Sequence, residues 1–301
     1  MTMVYSSEDA DLDVERIEIE LLLEGIYRHY GFDFRNYAYS SVKRRVWHRV
    51  RAEQLNTISE LQSKVLHDPI VLKCFLNDLS INVTEMFRDP SFFKAFREKV
   101  IPSLRDLPFI RIWHAGCSSG EEAYSMAILL LEEGLYDKTK IYATDMNEDI
   151  LEKAREARIP LSYMQVYTKN YQQAGGLKEF SEYYTAHHDY VLLRPMLKKN
   201  IVFAHHNLVT DHSFNEFHVI ICRNVLIYFN TSLKNRVYDL FFHSLSDGGF
   251  LGLGNKETLT SGDTSHFYQE IDRDEKIYIK GTPKNATASL NQISRHDYRK
   301  T

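Results

Sequence analysis

Residues 111–133, RIWHAGCSSGEEAYSMAILLLEE, decide how the rest of the chain is read. RIWHAG (111–116) is a short apolar strand entering a glycine turn, and EEAYSMAILLLEE (121–133) repeats its apolar residues at helical spacing. Between them Gly116 and Gly120 permit a tight turn and a close approach of backbone to a ligand. The helix that follows offers unpaired N–H groups at its start. A strand, a glycine turn and a helix in this order form a corner of an open α/β sheet, where ligands sit beyond the carboxyl ends of the strands.

The turn fits neither common phosphate loop. Position 118 is serine where G-x-G-x-x-G needs glycine, and no Gly-Lys-Ser/Thr follows as a Walker A loop requires. Glu121 and Glu122 would repel a pyrophosphate. They suit a ligand with an amino group, such as the methionine part of S-adenosylmethionine, or they simply complement the helix dipole.

Downstream, KIYATD (140–145) is a second strand, followed by the helical NEDILEKAREARI (147–159). IVFAHHNL (201–208) and FHVIICRN (217–224) read as buried strands with polar ends. SLKNRVYDLFFHSL (232–245) reads as a helix closed by Asp247-Gly248-Gly249, and GFLGLG (249–254) and KIYIK (276–280) supply the last strands. This alternation predicts a largely parallel sheet with helices on both faces. Residues 160–200 interrupt it with aromatic and polar residues, Gly175-Gly176 and a candidate strand at Tyr190–Leu193, which predicts a small inserted β subdomain. Upstream, apolar spacing predicts helices over 13–30, 38–52 and 59–75, with a shorter one at Phe92–Val100. The expected organisation is a helical domain over 13–80, a main domain over 81–280, a loose acidic start over 1–12 and a polar tail over 281–301.

Two further pieces fall at strand ends. Asp145 is placed to accept hydrogen bonds from ribose hydroxyls, or to cap the helix beginning at Asn147. Cys222-Arg223-Asn224, with Tyr228, puts polar groups over the crevice, and Asn207 and Leu208 are expected to flank an adenine.

Taken together, NVTEMFRDPSFF (82–93), IWHAGCSSGEEAYSMA (112–127), YATDMNEDILEKAR (142–155), FAHHNL (203–208) and FHVIICRNVLIYF (217–229) resemble the chemotaxis receptor methyltransferases, the glutamate O-methyltransferase family called CheR. The resemblance runs from residue 15 to residue 280. It implies an α/β fold: a Rossmann-like class I methyltransferase sheet with an N-terminal all-helical domain and a small inserted subdomain. It also implies S-adenosylmethionine as methyl donor, S-adenosylhomocysteine as product and no metal. The implied acceptors are glutamate side chains of a chemoreceptor-like signalling protein.

By the same resemblance, Asn82, Thr84 and Arg88 form a first donor-contacting group, with Gly116 in the turn. Glu122, with Glu121 beside it, resembles the carboxylate that holds the methionine end, and Asp145 the ribose-binding aspartate. Asn207-Leu208 and Arg223-Asn224 resemble adenine and crevice contacts, and Arg88 and Tyr228 the residues that face the acceptor carboxylate. Ala123 stands where proline is usual in the family and Ser119 where threonine is frequent; neither change removes a needed chemical group.

Methyl transfer from a sulfonium to a carboxylate is an in-line displacement. With a reference pKa of about 4.3, glutamate is already ionised at neutral pH, so the site needs no general base. It must align oxygen, methyl and sulfur and exclude water. The planar fork of Arg88 suits orientation of the acceptor; Tyr228 donates a hydrogen bond, walls the methyl group, or only packs. Between Phe34 and Ala52 every charged residue is basic, and Arg44, Arg45, Arg49 and Arg51 are expected to steer a glutamate-rich helix. A solvated face without a partner is the bland alternative.

A net charge of −4 argues against nucleic-acid affinity over the whole surface. Cys74, Cys117 and Cys222 make neither a disulfide scaffold nor a metal knuckle. His187-His188 and His205-His206 are adjacent pairs, and no H-E-x-x-H occurs, so no metal is expected. No apolar run reaches the about 20 residues that span a bilayer, and no basic-then-apolar signal opens the chain. The expected location is cytoplasmic, with recruitment to membrane receptor arrays through the partner. Two other functions compete: a methyltransferase of a small molecule or RNA, and a non-catalytic signalling scaffold that keeps the fold.

Overall fold

The computed structural model describes residues 7–80, 84–259 and 264–281, so Asn82 and the tail from 282 onward lie outside the described residues. The chain forms two compact units, one holding the first four helices with Tyr228–Lys234, the other the remainder.

The helical unit contains α1 (Ser7–Tyr30), α2 (Tyr39–Ala52), α3 (Ile58–His67) and α4 (Pro69–Leu79). Residues 7–12, expected to be loose, are the first part of α1. Gly31, at φ +81°, ends α1 and donates its N–H to Tyr27 O at 2.9 Å. The single helix expected over 59–75 is two helices, because Pro69 lacks an N–H and cannot continue a helix through position 69. Asp68 ends α3 and caps α4, its carboxylate accepting from Ile70 N at 2.8 Å and Val71 N at 3.4 Å, worth about 1 kcal/mol. Thr57 and Glu60 form a reciprocal capping box at the start of α3. Ile19, Leu22 and Ile26 of α1, Val42, Val46 and Val50 of α2, and Leu61 and Val65 of α3 are buried at helical spacing.

The second unit runs α5 (Pro90–Lys99), α6 (Ile101–Leu104), β1 (Ile110–Ala115), α7 (Glu121–Glu132), β2 (Thr139–Asp145), α8 (Glu148–Glu156), β3 (Arg158–Pro160), α9 (Met164–Gln173), β4 (Tyr184–Ala186), β5 (Tyr190–Leu193), α10 (Pro195–Lys198), β6 (Ile201–His205) and β7 (Phe217–Cys222). It closes with α11 (Thr231–Ser244), whose first residues group with the helical unit, then β8 (Leu245–Leu253), β9 (Tyr268–Asp272) and β10 (Ile277–Lys280). A seven-stranded sheet has the order β6-β2-β1-β7-β8-β10-β9. The strands from β6 to β8 pair in parallel, whereas β10 is antiparallel to β8 and β9 to β10. This is the Rossmann-like α/β arrangement that the resemblance implies. β2 pairs with one edge of β1 and β7 with the other, so the chain order reverses at β1 and a crevice opens beyond its carboxyl end. α7 is buried from Ala123 through Leu130, which explains its nearly continuous apolar run.

Three further features of the second unit depart from the sequence reading. Asp247-Gly248-Gly249 does not close α11; the helix ends at Ser244 and the glycines lie within β8. Phe217 pairs with Leu245 and Val219 with Phe250, so residues 246–249 form a bulge opposite His218, with Gly248 at φ +75°. α9 escapes the apolar-spacing rule because Met164, Tyr167 and Tyr171 form its buried stripe among polar residues, two of them aromatic rather than aliphatic. β9 escapes it because it is a sheet edge whose residues are all exposed or half-buried.

β3, β5 and β4 form a separate three-stranded antiparallel sheet; β3 starts at Arg158, before the segment expected over 160–200, because α8 ends at Glu156 and not at 159. That segment is fastened to the end of α7 by one carboxylate. Glu132 accepts from Tyr171 Oη, Tyr183 Oη and Leu177 N on one oxygen and from Arg97 on the other, with its side chain 1 % exposed. No described helix is long and apolar enough to cross a membrane.

Candidate active site

The turn after β1 is bound to β2 by two backbone hydrogen bonds, Gly116 N and Cys117 N both donating to Thr144 O at 2.8 and 2.9 Å. Gly116, Ser118 and Gly120 have φ of +80°, +51° and +92°. At Gly116 a Cβ would come within 2.5 Å of Val225 Cγ2, so only glycine fits there. The strained Ser118 is held by Asp145, whose Oδ2 accepts its N–H at 2.9 Å.

Asp145 is not the helix cap. Asn147 caps α8, accepting from Asp149 N and Ile150 N, while Asp145 Oδ1 accepts Asn147 N at 3.0 Å. Burial pushes the Asp145 carboxyl up, against the N–H groups of Ser118, Asn147 and Met146 that stabilise its anion. Three N–H groups on about four lone-pair sites leave the residue room to accept a ribose hydroxyl.

The paired glutamates at the start of α7 have different surroundings. Glu122 accepts from His114 Nδ1 at 2.9 Å and Arg223 NH1 at 3.2 Å. Burial alone would raise its carboxyl, but His114 and Arg223 outweigh that and hold it below the usual carboxylate range. Glu121 accepts from Ser119 Oγ at 2.7 Å, and burial pushes its pKa up. An arriving ammonium group would offset that burial cost directly. His114, fully buried in β1, carries no signal in the sequence beyond being a polar residue in an apolar strand.

The sequence pattern puts Arg223 over the crevice; its guanidinium instead turns into the protein, with the side chain 0 % exposed. It donates to Arg88 O at 3.1 Å, Asp89 Oδ2 at 2.6 Å and Glu122 Oε2 at 3.2 Å, and lies 4.2 Å from the Phe92 ring centroid. Arg88 is half-buried just before α5, and Thr84 accepts from Tyr167 Oη through its carbonyl. Asn207 spends its side-chain oxygen on Val209 N at 2.9 Å, shaping the turn after β6. Leu208 lines a cavity of about 380 Å³ with Asp211, Arg236, Asp239, Leu240 and His243.

Glu257 is a site residue that sequence reasoning missed. Its buried carboxylate accepts from Gly254 N at 2.7 Å, Asn224 N at 2.9 Å and Ile227 N at 3.2 Å, holding Asn224 at φ +62°. Nothing in its spacing from Asn224 could have signalled this. In Glu257→Gln one acceptor oxygen becomes a donor that faces a backbone N–H. S-Adenosylhomocysteine is then expected to bind about tenfold more weakly, the equivalent of one lost hydrogen bond. Unchanged affinity in calorimetry would mean that other contacts hold this loop.

Tyr228 groups with the helical unit. Its carbonyl accepts Ala38 N at 2.8 Å, and the Arg45 guanidinium lies 5.1 Å from its ring centroid. The four arginines of α2 do not share one free face. Arg45 is buried, donates to Ser41, and has its pKa pushed down by burial and by neighbouring Arg44. Arg49 is bound to Asp78 at 2.7 Å, to Glu53 and to Cys74 O. Arg44 and Arg51, two turns apart, are exposed. For Arg49 the cause is in part outside the local sequence, since Asp78 lies on α4.

In the second unit the glycine turn, Asp145, both glutamates, the Arg88 turn and Asn224 thus stand on or beside the carboxyl ends of β1, β2 and β7. Among the described residues no group of His, Cys, Asp and Glu is placed to hold a metal ion.

Two family models match the sequence, "CheR methyltransferase, all-alpha domain" over residues 17–80 and "CheR methyltransferase, SAM binding domain" over residues 82–275. The chain is 47% identical over 264 residues to a Pseudomonas putida protein named "Putative methyltransferase Cher3", covering 88% of this chain and 97% of that one. It is 30% identical over 236 residues to a chemotaxis protein methyltransferase of Listeria monocytogenes, covering 78% and 87%. A chemotaxis protein methyltransferase of Borreliella burgdorferi is 27% identical over 264 residues, covering 83% and 90%.

Proposed function

This chain belongs to the CheR methyltransferase family and uses S-adenosylmethionine, and from that premise we propose that it esterifies glutamate side chains on a chemoreceptor-like signalling protein. The observation that carries the donor side is the convergence of Asp145, the Gly116–Gly120 turn and the glutamate pair at the reversal of strand order. In this reading Asp145 takes the ribose hydroxyls, and Glu121 and Glu122 take the ammonium of the methionine end. Thr84, Asn207, Leu208 and Asn224 line the rest, with Asn82 in the segment outside the described residues.

S-Adenosylmethionine, when bound, supplies a methyl group made electrophilic by its sulfonium. The chain's own work is alignment and exclusion of water. Arg88 orients the acceptor carboxylate, and Tyr228 contributes a hydroxyl or a wall, the role the resemblance assigns it. Arg44 and Arg51 steer an acidic helix, while the inward bonds of Arg45 and Arg49 suit them to support α2. The names of the Listeria and Borreliella relatives favour a chemotaxis substrate.

The test is transfer of labelled methyl from S-adenosylmethionine to a glutamate-rich helical receptor fragment. The expected product is labile to base. Reversing both charges with Arg44→Glu and Arg51→Glu should raise the fragment's KM about tenfold, leaving donor affinity unchanged. A base-stable product, or transfer only to RNA or a small molecule, would overturn the acceptor assignment. Failure to bind the donor would favour a scaffold.

A further inference from the structure

Arg88 sits in an unusual piece of backbone. The residues on either side of it, Phe87 and Asp89, both have left-handed φ, +51° and +53°, which residues other than glycine rarely adopt. Such geometry persists only when the surroundings over-determine it. On one side the turn is held by Phe87 N, which donates to Ser125 Oγ at 2.8 Å, and by Met86 O, which accepts from Asn170 Nδ2 at 3.1 Å. On the other, Arg223 reaches it from the end of β7. Arg223 donates to Arg88 O and Asp89 Oδ2, and its guanidinium packs on Phe92 one turn into α5.

We propose that Arg223 is a positioning residue, a buried clamp that fixes the Arg88 turn relative to Glu122 so that the Arg88 side chain points at the acceptor. The inference rests on the reading that Arg88 orients the acceptor carboxylate. Arginine is suited to the task because its rigid fork reaches three acceptors at once: a backbone carbonyl and the carboxylates of Asp89 and Glu122. Lysine keeps the charge and loses the fork. The two carboxylates neutralise and hydrogen-bond the buried cation, and His114 braces Glu122 from its other oxygen. Holding Arg88 and Glu122 through one group ties the acceptor end of the crevice to the donor end.

The experiment is a double-mutant cycle on the full chain with Arg223→Lys, Arg88→Ala and the pair, reading kcat on a receptor fragment and the Kd for S-adenosylhomocysteine. Arg223→Lys should lower kcat about 30-fold, the scale of a small misplacement of an orienting group, with a smaller rise in donor Kd, about tenfold, for the lost bond to Glu122. In the Arg88→Ala background the same change should cost less than about twofold in kcat, because a clamp has no effect when the side chain it aims is gone. Full multiplicative losses, with Arg88→Ala itself impaired, would overturn the clamp and leave the Arg88 role standing. An Arg88→Ala enzyme with wild-type kcat would overturn that role and the clamp with it. Asp89→Asn keeps Arg223 in place and weakens one arm; it should show the same non-additivity, and it serves if Arg223→Lys does not fold.

Discussion

Replacing Asp145 with alanine is expected to abolish detectable S-adenosylhomocysteine binding while the protein stays folded. The substitution removes the proposed ribose acceptor and the carboxylate to which the Ser118 and Asn147 N–H groups donate. A hydrogen bond to a carboxylate contributes about 1.5–3 kcal/mol, so losing the ribose contact should lower affinity by about 100-fold, while the orphaned Ser118 donor costs stability. Ser118 would also lose the contact that holds it at φ +51°, and the turn would relax away from the ligand. Asn147 keeps its own capping bonds, so α8 should survive. Asp145→Asn is the graded control: its one remaining acceptor oxygen serves one of the two N–H groups, and an intermediate loss is expected. Calorimetry with circular dichroism measures both quantities. A Kd within about threefold of wild type would sink the donor assignment at Asp145.

Gly116→Ala should be nearly as damaging for a different reason. A left-handed conformation costs a non-glycine residue about 1–2 kcal/mol. The new Cβ would also meet Val225 Cγ2 at 2.5 Å, against a strand end that two bonds to Thr144 keep from moving. Donor binding should drop by at least about 30-fold, and the melting temperature should fall by about 2–4 °C per kcal/mol. Val225→Ala in the same chain removes the clash without removing the dihedral strain. It should therefore restore part of the affinity and not all of it. Full rescue would mean that the φ of +80° carries no cost; no rescue would mean that Val225 does not press on the turn.

How much is legible in the sequence follows from the range over which each signal acts. The Gly116–Gly120 turn, its flanking strand and helix, and strand Tyr190–Leu193 can be read because their causes lie within a few residues. The break at Asp68-Pro69 is equally local and is masked, because the apolar spacing runs on across it. Asp145 shows that two local alternatives can both seem adequate until Asn147 takes the cap. The inward turn of Arg223 is set by Asp89 and Glu122, more than a hundred residues earlier in the chain. Separation along the chain also hides the pairing of Arg49 with Asp78 and the reach of Glu257 to Asn224, since a spacing pattern cannot register contacts between separate elements.

The carboxylate at the end of α7 also bears on how this family can be recombined. Because Glu132 draws Tyr171, Tyr183 and Leu177 of the interrupting segment onto the oxygen opposite Arg97, that segment is not a detachable cassette. A chimera that imports a relative's insertion without the two tyrosines would inherit a sequestered anion with only Arg97 and the backbone N–H at position 177 left to it. A chimera that also exchanges Glu132 and Arg97 carries the whole joint, so the natural unit of exchange is larger than the three strands that mark it.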